Sequence, residues 1–512
     1  MSGKVIITNR SVLRGKYGAA GVQSVDAAIG ALVAADAKRG ITTTAASVDD
    51  PALGAAAVST ALDPAQNKAA LDAIFTKTKP DYLMILGSSD VIPHQDPTNP
   101  CNGGTDDPDA MAFGDLPYAC AGAYSKIIAD FVNPTRVVGR LPDLPGATSP
   151  DYLVKLLTRA ANYTTRRPAD YAACLGVSAQ VWNGSTSQSL NNIFGSASTM
   201  KTSPPEGPNW TQPQLQALAH FFNCHGAEKD SHYYGQDSPT NYPVAHDASL
   251  LVGRLAEGTI ASCECCYGAA LYDPNDPAAD GQMGIANTYL QEGAYGYCGS
   301  TTVAYGPAQG NANADLICQY FLESILKGAS LGRAMLEARQ KYIGGWGAPA
   351  PFDYKTLAQF LLLGDPSIQP VESPPAHALY LKKDRGIARV ASVAETLGHE
   401  RALRRARLAA AGEAVAANAM KTVERPTASV PDAVKNLLSE RAKATGAAEL
   451  KFKSFDVQRP AAKTFTRSLD RTRLPRVLHT ATGRLPGSHL SLVAYVAVED
   501  QLGLSVRELY SR

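Results

Sequence analysis

Through its first 370 residues this chain alternates short β-rich apolar runs with amphipathic helical stretches. Parallel strands need helix-length crossovers, so such alternation feeds a mostly parallel sheet with helices on its faces. Val5–Thr8, Asp81–Gly87, Arg136–Leu141, Tyr171–Val181, Leu215–Cys224, Gly258–Glu264 and Gly293–Ser300 read as strands. Ser24–Ala37, Tyr152–Tyr163, Asp315–Leu326 and Leu331–Tyr342 read as helices, the second with Leu153, Leu156 and Leu157 on one face. Polar, Pro-rich loops at 93–117 and 200–213 are large enough to carry function.

Charge divides the chain. Residues 376–512 hold 24 of the 48 Lys and Arg but only 13 of the 47 Asp and Glu, a net of about +11, which leaves about −10 on the rest. With the Pro-rich stretch after Val371 as a break, the expected organisation is an N-terminal α/β subdomain (1–78), a main domain (79–370), a linker (371–378) and a basic C-terminal α+β module (379–512). In the last, His399–Lys421 and Asp432–Lys443 read as helices and Leu490–Val498 as an apolar strand. Arg401, Arg404, Arg405 and Arg407 form one basic cluster, and Arg471, Arg473 and Arg476 another. These are either solvated faces or contacts to the acidic core or to an acidic partner, nucleic acid included.

No apolar run approaches the ~18–20 residues that span a bilayer. The N-terminus has no leader-like apolar region or cleavage site, so a cytoplasmic protein is expected; a secreted one stays open if a leader precedes it. Nine cysteines, three of them within 263–266, read as reduced thiols rather than a disulfide framework.

Two strand ends carry the chemistry. His225 and Gly226 close the apolar run His-Phe-Phe-Asn-Cys, and about forty residues on Cys265 closes Thr-Ile-Ala-Ser-Cys-Glu. Reactive groups in an open parallel sheet gather outside the carboxyl ends of strands, so neighbouring strands would bring imidazole and thiol to one rim. A thiolate is the nucleophile and the imidazole manages its proton. The N–H groups of Gly226 and Cys265 could hold an oxyanion.

The arrangement resembles the gingipain-type cysteine peptidases, relatives of caspases. Gly114-Asp115-Leu116-Pro117-Tyr118 is similar to the family's Asp-x-x-Tyr segment, and Val138-Gly139-Arg140-Leu141-Pro142 to its Val-Gly-Arg-Leu-Pro signature. Asp81–Gly87 with Val91-Ile92-Pro93 resembles an early strand and turn, and Leu363-Gly364-Asp365-Pro366 the closing motif. The resemblance covers roughly 80–370. It implies a caspase-like α/β/α sandwich and hydrolysis of protein or peptide substrates through a thioester, with Cys265 as nucleophile and His225 as acid/base. Cys265 is chosen because Cys265–Gly268 reproduces the Cys-x-x-Gly spacing, with Cys263 as the next candidate. Relatives place a small residue before the nucleophile, where this chain has Glu264. A carboxylate there would raise the thiol pKa, which keeps open a catalytically silent scaffold.

The resemblance also implies Asp115 as a determinant of Arg or Lys at P1, with Ser300 and Tyr305 lining the same pocket. Asp115 and Asp237 are the candidates to orient His225. No cofactor is required; calcium could sit in Asp106-Asp107-Pro108-Asp109. A zinc site from Cys224, Cys263, Cys265 and Cys266 is disfavoured, because adjacent cysteines on an extended chain point apart. His232 and His246 read as solvated or substrate-facing, and His94 as structural. Gly328-Ala329-Ser330-Leu331-Gly332 fits the serine-hydrolase pattern but follows a helix rather than a strand, so Gly328 and Ser330 read as helix caps. Arg-x bonds in the basic module would be open to self-cleavage if P1 is basic.

Overall fold

The computed structural model describes all residues except 1, 51–56, 103–106, 374–379, 383–387, 391–402, 404–405, 416–418, 426–429, 459–476, 486–491 and 501–502. Its strands in chain order are β1 (Ser2–Thr8), β2 (Ile41–Ser47), β3 (Tyr82–Leu86), β4 (Val138–Leu141), β5 (Cys174–Ala179), β6 (Lys201–Ser203) and β7 (Ala219–Asn223). They continue with β8 (His225–Gly226), β9 (His232–Tyr234), β10 (Val244–Asp247), β11 (Ile260–Cys263), β12 (Gly296–Ser300), β13 (Tyr305–Gly306) and β14 (Phe360–Gly364). Then come β15 (Tyr380–Lys382), β16 (Ala388–Val390), β17 (Lys421–Glu424), β18 (Ala448–Gln458), β19 (Val477–Arg484), β20 (Leu492–Asp500) and β21 (Gly503–Ser511).

Ten strands form one sheet in the order β2-β1-β3-β4-β14-β12-β11-β7-β5-β6. Neighbours are parallel except β12 and β14, so two parallel halves of opposed direction meet there. Such central strands are covered on both faces and read as continuous apolar runs: every residue of β7, β11, β12 and β14 is buried. The first 78 residues contribute β1 and β2 to this same sheet. The strands read from the sequence reappear within a few residues, while β2 and the helix Pro64–Thr78 carry too little apolar periodicity to be read.

Among the described residues one helix, Arg10–Lys38, is long and apolar enough by composition to cross a bilayer, although no run in the sequence suggests it. Here it lies against β2 and the helix Asp151–Asn162, burying Leu13, Val22, Val25, Ile29 and Leu32 in the core. Gly328 has φ +84° after the helix Asn313–Leu326, and Ser330 is the N-cap of Leu331–Gly344, which disposes of the serine-hydrolase pattern.

The C-terminal module is an antiparallel sheet, β21-β20-β19-β18-β17, backed by the helix Asp432–Thr445 through Val434, Leu438 and Ala442. It meets the main sheet's domain where β21 pairs antiparallel with β13 and where Arg507 bonds Asp353 at 2.6 Å. Arg407 is exposed; the other arginines of the two basic clusters, and most of the 371–378 linker, lie outside the described residues.

Candidate active site

The carboxyl ends of β5, β7, β11 and β12 lie side by side, and each delivers something to one cleft. The apolar strands end where polar or glycine residues begin, so the side chains just beyond them are free to face the rim. Cys266, just past β11, is central. Its N–H donates to the main-chain carbonyl of Arg512 at 3.1 Å, and the N–H of Gly226 donates to the same oxygen at 3.4 Å. The Cys266 Sγ accepts the N–H of Ala304 at 3.2 Å, while the Ala304 carbonyl accepts the N–H of Arg512 at 3.0 Å. Gly226 is required here, since a Cβ would lie 2.0 Å from the Cys266 carbonyl oxygen.

Cys265, in the bend that follows β11, points the other way. Its thiol is fully buried beside Cys224 and Cys263, where burial pushes its pKa far up. The two N–H groups on the Arg512 carbonyl are those of Gly226 and Cys266; the Cys265 N–H, expected from the sequence in that place, is not one of them.

His225 is buried, with Nε2 2.8 Å from Gln236 Oε1. Gln236 Nε2 donates to the Ser238 carbonyl at 3.2 Å and to Tyr242 OH at 2.9 Å. A carbonyl only accepts, which fixes the amide's orientation, so Oε1 faces the imidazole and His225 Nε2 carries the proton. Nδ1 is then the basic nitrogen, and it has no partner among the described residues. Burial lowers the His225 pKa to about 4, outweighing the Gln236 bond, so the ring is neutral. The Trp182 indole, beyond the end of β5, packs on it with ring centroids 4.4 Å apart.

The Arg512 side chain fills a closed slot. Its Cζ lies 4.4 Å from the Trp182 ring centre, and Nη2 bonds the Pro307 carbonyl at 2.8 Å and Asp315 Oδ1 at 3.1 Å. Glu264 Oε2 is 4.0 Å from Nε. Glu264 is wholly buried, and burial next to Asp315 drives its pKa well up. Two carboxylates and an indole around one cavity select a planar cation. Gly306 completes the fit, because a Cβ there would be 2.3 Å from Nη2.

Comparison with known proteins bears on what this cleft does. The sequence profile of peptidase family C25 matches residues 5–371, which include every residue of the cleft except Arg512. This chain belongs to peptidase family C25. No curated protein matches it. A solved structure described as a protease aligns over 99% of this chain and 96% of its own, at 11% identity and a TM-score of 0.47. The Saccharomyces cerevisiae separase–securin complex aligns over 46% of this chain and 14% of its own, at 13% identity and a TM-score of 0.28.

Membership in C25, the gingipain family, makes the chain a cysteine peptidase with the expected caspase-like α/β architecture. Several residues singled out from the sequence have other work in this C25 cleft. Asp115 forms a bidentate pair with Arg140 at 2.8 and 2.6 Å and bonds His94 at 3.1 Å, which holds its pKa far below the carboxylate range. A carboxylate so engaged is a structural anchor and does not contact Arg512; Asp315 and Glu264 do. Tyr305 is buried with its hydroxyl on Asp107 at 3.0 Å, so only its backbone, paired with Ser511, meets the cleft's occupant. Ser300 bonds the Thr302 carbonyl at 2.8 Å and shapes the loop rather than the slot. Gln236, not Asp115 or Asp237, holds the imidazole.

Of the carboxylates offered for calcium, Asp107 and Asp109 share the buried Lys355 ammonium, at 2.6 and 2.9 Å, while Asp106 is outside the described residues. His232 is held by Asp230 at 2.7 Å, and His246 is buried between Trp210 and Tyr289. All nine cysteines are free thiols. Trp182, Gln236 and Asp315 belong to no motif read from the sequence, since each is local to a loop or helix start. Glu264, singled out from the sequence as the residue before Cys265, lies beside the Arg512 guanidinium.

Proposed function

We propose that this peptidase is an endopeptidase cutting after arginine, with Cys266 as nucleophile and His225 as general acid/base. The observation that carries the reading is the seat of Arg512: its carbonyl takes the N–H groups of Gly226 and Cys266 while its guanidinium meets Asp315, Glu264 and Trp182. In a substrate the same cradle would polarise the carbonyl that follows the P1 residue.

Cys266 Sγ attacks that carbon, its proton passing to the neutral imidazole, whose basic nitrogen is Nδ1. The Gly226 and Cys266 N–H groups take the developing oxyanion. As the intermediate collapses, His225 returns the proton to the leaving amine and a thioester remains. Water, deprotonated by His225, then attacks the thioester and releases the acid and the thiol. Gln236 positions the ring throughout. A cleft of about 520 Å³ opens beside Tyr267, lined by Phe113, Glu228 and Leu271 among others, and offers space for residues beyond the cut.

Arginine is favoured over lysine because only a guanidinium can stack on Trp182 while meeting both carboxylates. The test is hydrolysis of matched peptide-coumarin reporters ending in Arg, Lys, Leu or Asp. Cleavage confined to the Arg and, more weakly, the Lys reporter is expected. Cleavage after Leu or Asp would sink the assignment of the slot.

A further inference from the structure

We propose that β21 (Gly503–Ser511) together with Arg512 is a built-in, substrate-like occupant of the peptidase cleft that keeps the enzyme latent until it is displaced. The inference rests on the reading of the cleft as an Arg-directed peptidase site. It depends on where the Arg512 carbonyl and guanidinium sit and on nothing beyond that residue.

The contacts are those a substrate would make. Ser511 pairs with Tyr305 and Tyr510 with Gly306 in an antiparallel bridge, adding the strand to an edge as peptide ligands do. Arg512 continues the register, N–H to Ala304 and carbonyl to the two-donor cradle. Leu509, Tyr510, Ser511 and Arg512 thus occupy the positions of a substrate's P4 to P1. Arg512 is fully buried, although it lies outside the module's own hydrophobic cluster.

Its interior setting is not an accident of a loose tail. β21 pairs with β20 from Asp500↔Gly503 through Val493↔Tyr510, and Ser511 Oγ accepts the Leu492 N–H at 2.7 Å. Leu509 is buried in the main hydrophobic core, and Arg507 bonds Asp353 at 2.6 Å on the peptidase domain. An occupant delivered this way pays little translational entropy, and its effective concentration is on the order of millimolar or higher, above that of most substrates.

The slot gives the occupant a second reason to stay. Without a guanidinium, Asp315 would sit in a buried cavity beside Glu264 with its ion-pair partner gone, so an empty slot is costly and a filled one favourable. With the cleft filled, burial pushes the Cys266 thiol up to about 12, leaving thiol and imidazole both uncharged. Opening requires only that residues 510–512 leave the β13 edge; the rest of the module's sheet can remain.

The test compares the full chain with its Arg512→Ala and Arg512→Lys variants. Cys266 alkylation by iodoacetamide is followed by peptide mapping, so its rate is read apart from the other thiols. Alkylation should be about 10-fold faster or more in Arg512→Ala and intermediate in Arg512→Lys. Acetyl-Leu-Tyr-Ser-Arg with a free carboxylate should slow it again in Arg512→Ala, which also shows that variant's cleft to be folded. Equal alkylation rates in parent and Arg512→Ala, or no protection by the tetrapeptide, would overturn the proposal. Turnover of an Arg reporter by Arg512→Ala is the separate readout: protection without turnover removes the peptidase assignment but leaves the occupancy standing, and turnover with equal alkylation does the reverse.

Discussion

The guanidinium carbon of Arg512 lies 4.4 Å from the ring centre of Trp182, the same indole that packs 4.4 Å from the His225 imidazole. One side chain thus packs against both the Arg512 guanidinium and the His225 imidazole. Under the proposed function, recognition and chemistry would be coupled through this indole.

Removing the charge at the base of the slot should cost binding and rate together. Asp315→Asn, placed in the Arg512→Ala background so that the cleft is open, is expected to lower kcat/KM for an Arg reporter roughly 10- to 100-fold, the worth of a hydrogen bond to a charged group. The Arg-to-Lys ratio should fall as well. Asp115→Asn should leave that ratio where it is, because Asp115 is bound to Arg140 and not to the slot.

Steric closure of the slot gives an independent check. In Gly306→Val the new Cβ would fall 2.3 Å from the position of Nη2. Arginine reporters should then lose turnover almost completely, and residues 510–512 should become accessible to proteolysis in the full chain. A Gly306→Val protein that still cleaves after arginine would show that the slot lies elsewhere.

Gln236 is a positioning residue. Gln236→Leu keeps the volume but removes the acceptor that fixes His225 Nε2–H, so kcat for an Arg reporter is expected to fall by about 10- to 100-fold with KM nearly constant. Gln236→Glu keeps an acceptor and should raise the imidazole pKa, moving the acidic limb of the kcat–pH profile upward. A loss confined to KM would contradict this role.

Buried neutral histidines make stability depend on pH. Burial holds His246 well below its ordinary 6.5, between Trp210 and Tyr289, whereas the unfolded chain takes up a proton near 6.5. The stability it contributes is full above that pH and is lost as the pH falls below it. The advantage of the parent over His246→Gln in urea unfolding should therefore shrink from pH 7 to pH 5, by up to about 1.4 kcal/mol per pH unit. Parallel pH dependences would contradict it.

Lys355 pairs with Asp107 and Asp109 from a fully buried position. Lys355→Met strands two carboxylates and should cost about 3–5 kcal/mol in unfolding free energy. Lys355→Met with Asp107→Asn and Asp109→Asn should recover part of it. Added calcium should not stabilise the parent, whose carboxylates already share a cation.

Much of the frame was legible in the sequence. Apolar runs such as Ala219–Asn223 and Ile260–Cys263 announce strands buried on both faces, and the His-Gly and Cys-rich turns after them announce the rim. What the sequence hid is what three-dimensional arrangement decides. Cys265 and Cys266 are neighbours in the turn that follows β11, and the turn sends one thiol to Cys224 and Cys263 and the other to Ala304. Spacing to Gly268 favours Cys265, while the N–H of Cys266 on the Arg512 carbonyl favours Cys266. Asp115 was misread for a related reason: an acidic residue in a family-like segment says nothing about a partner such as Arg140, twenty-five residues on. The occupant strand was beyond reach altogether, because pairing of β21 with β13 joins segments about two hundred residues apart.

The most direct test of the central claim is to label Arg512→Ala with an arginyl acyloxymethyl ketone and map the modified peptide. The account predicts one adduct, on Cys266, lost in Cys266→Ala, kept in Cys265→Ala and much slower in His225→Ala. An adduct on Cys265 that survives Cys266→Ala would contradict it.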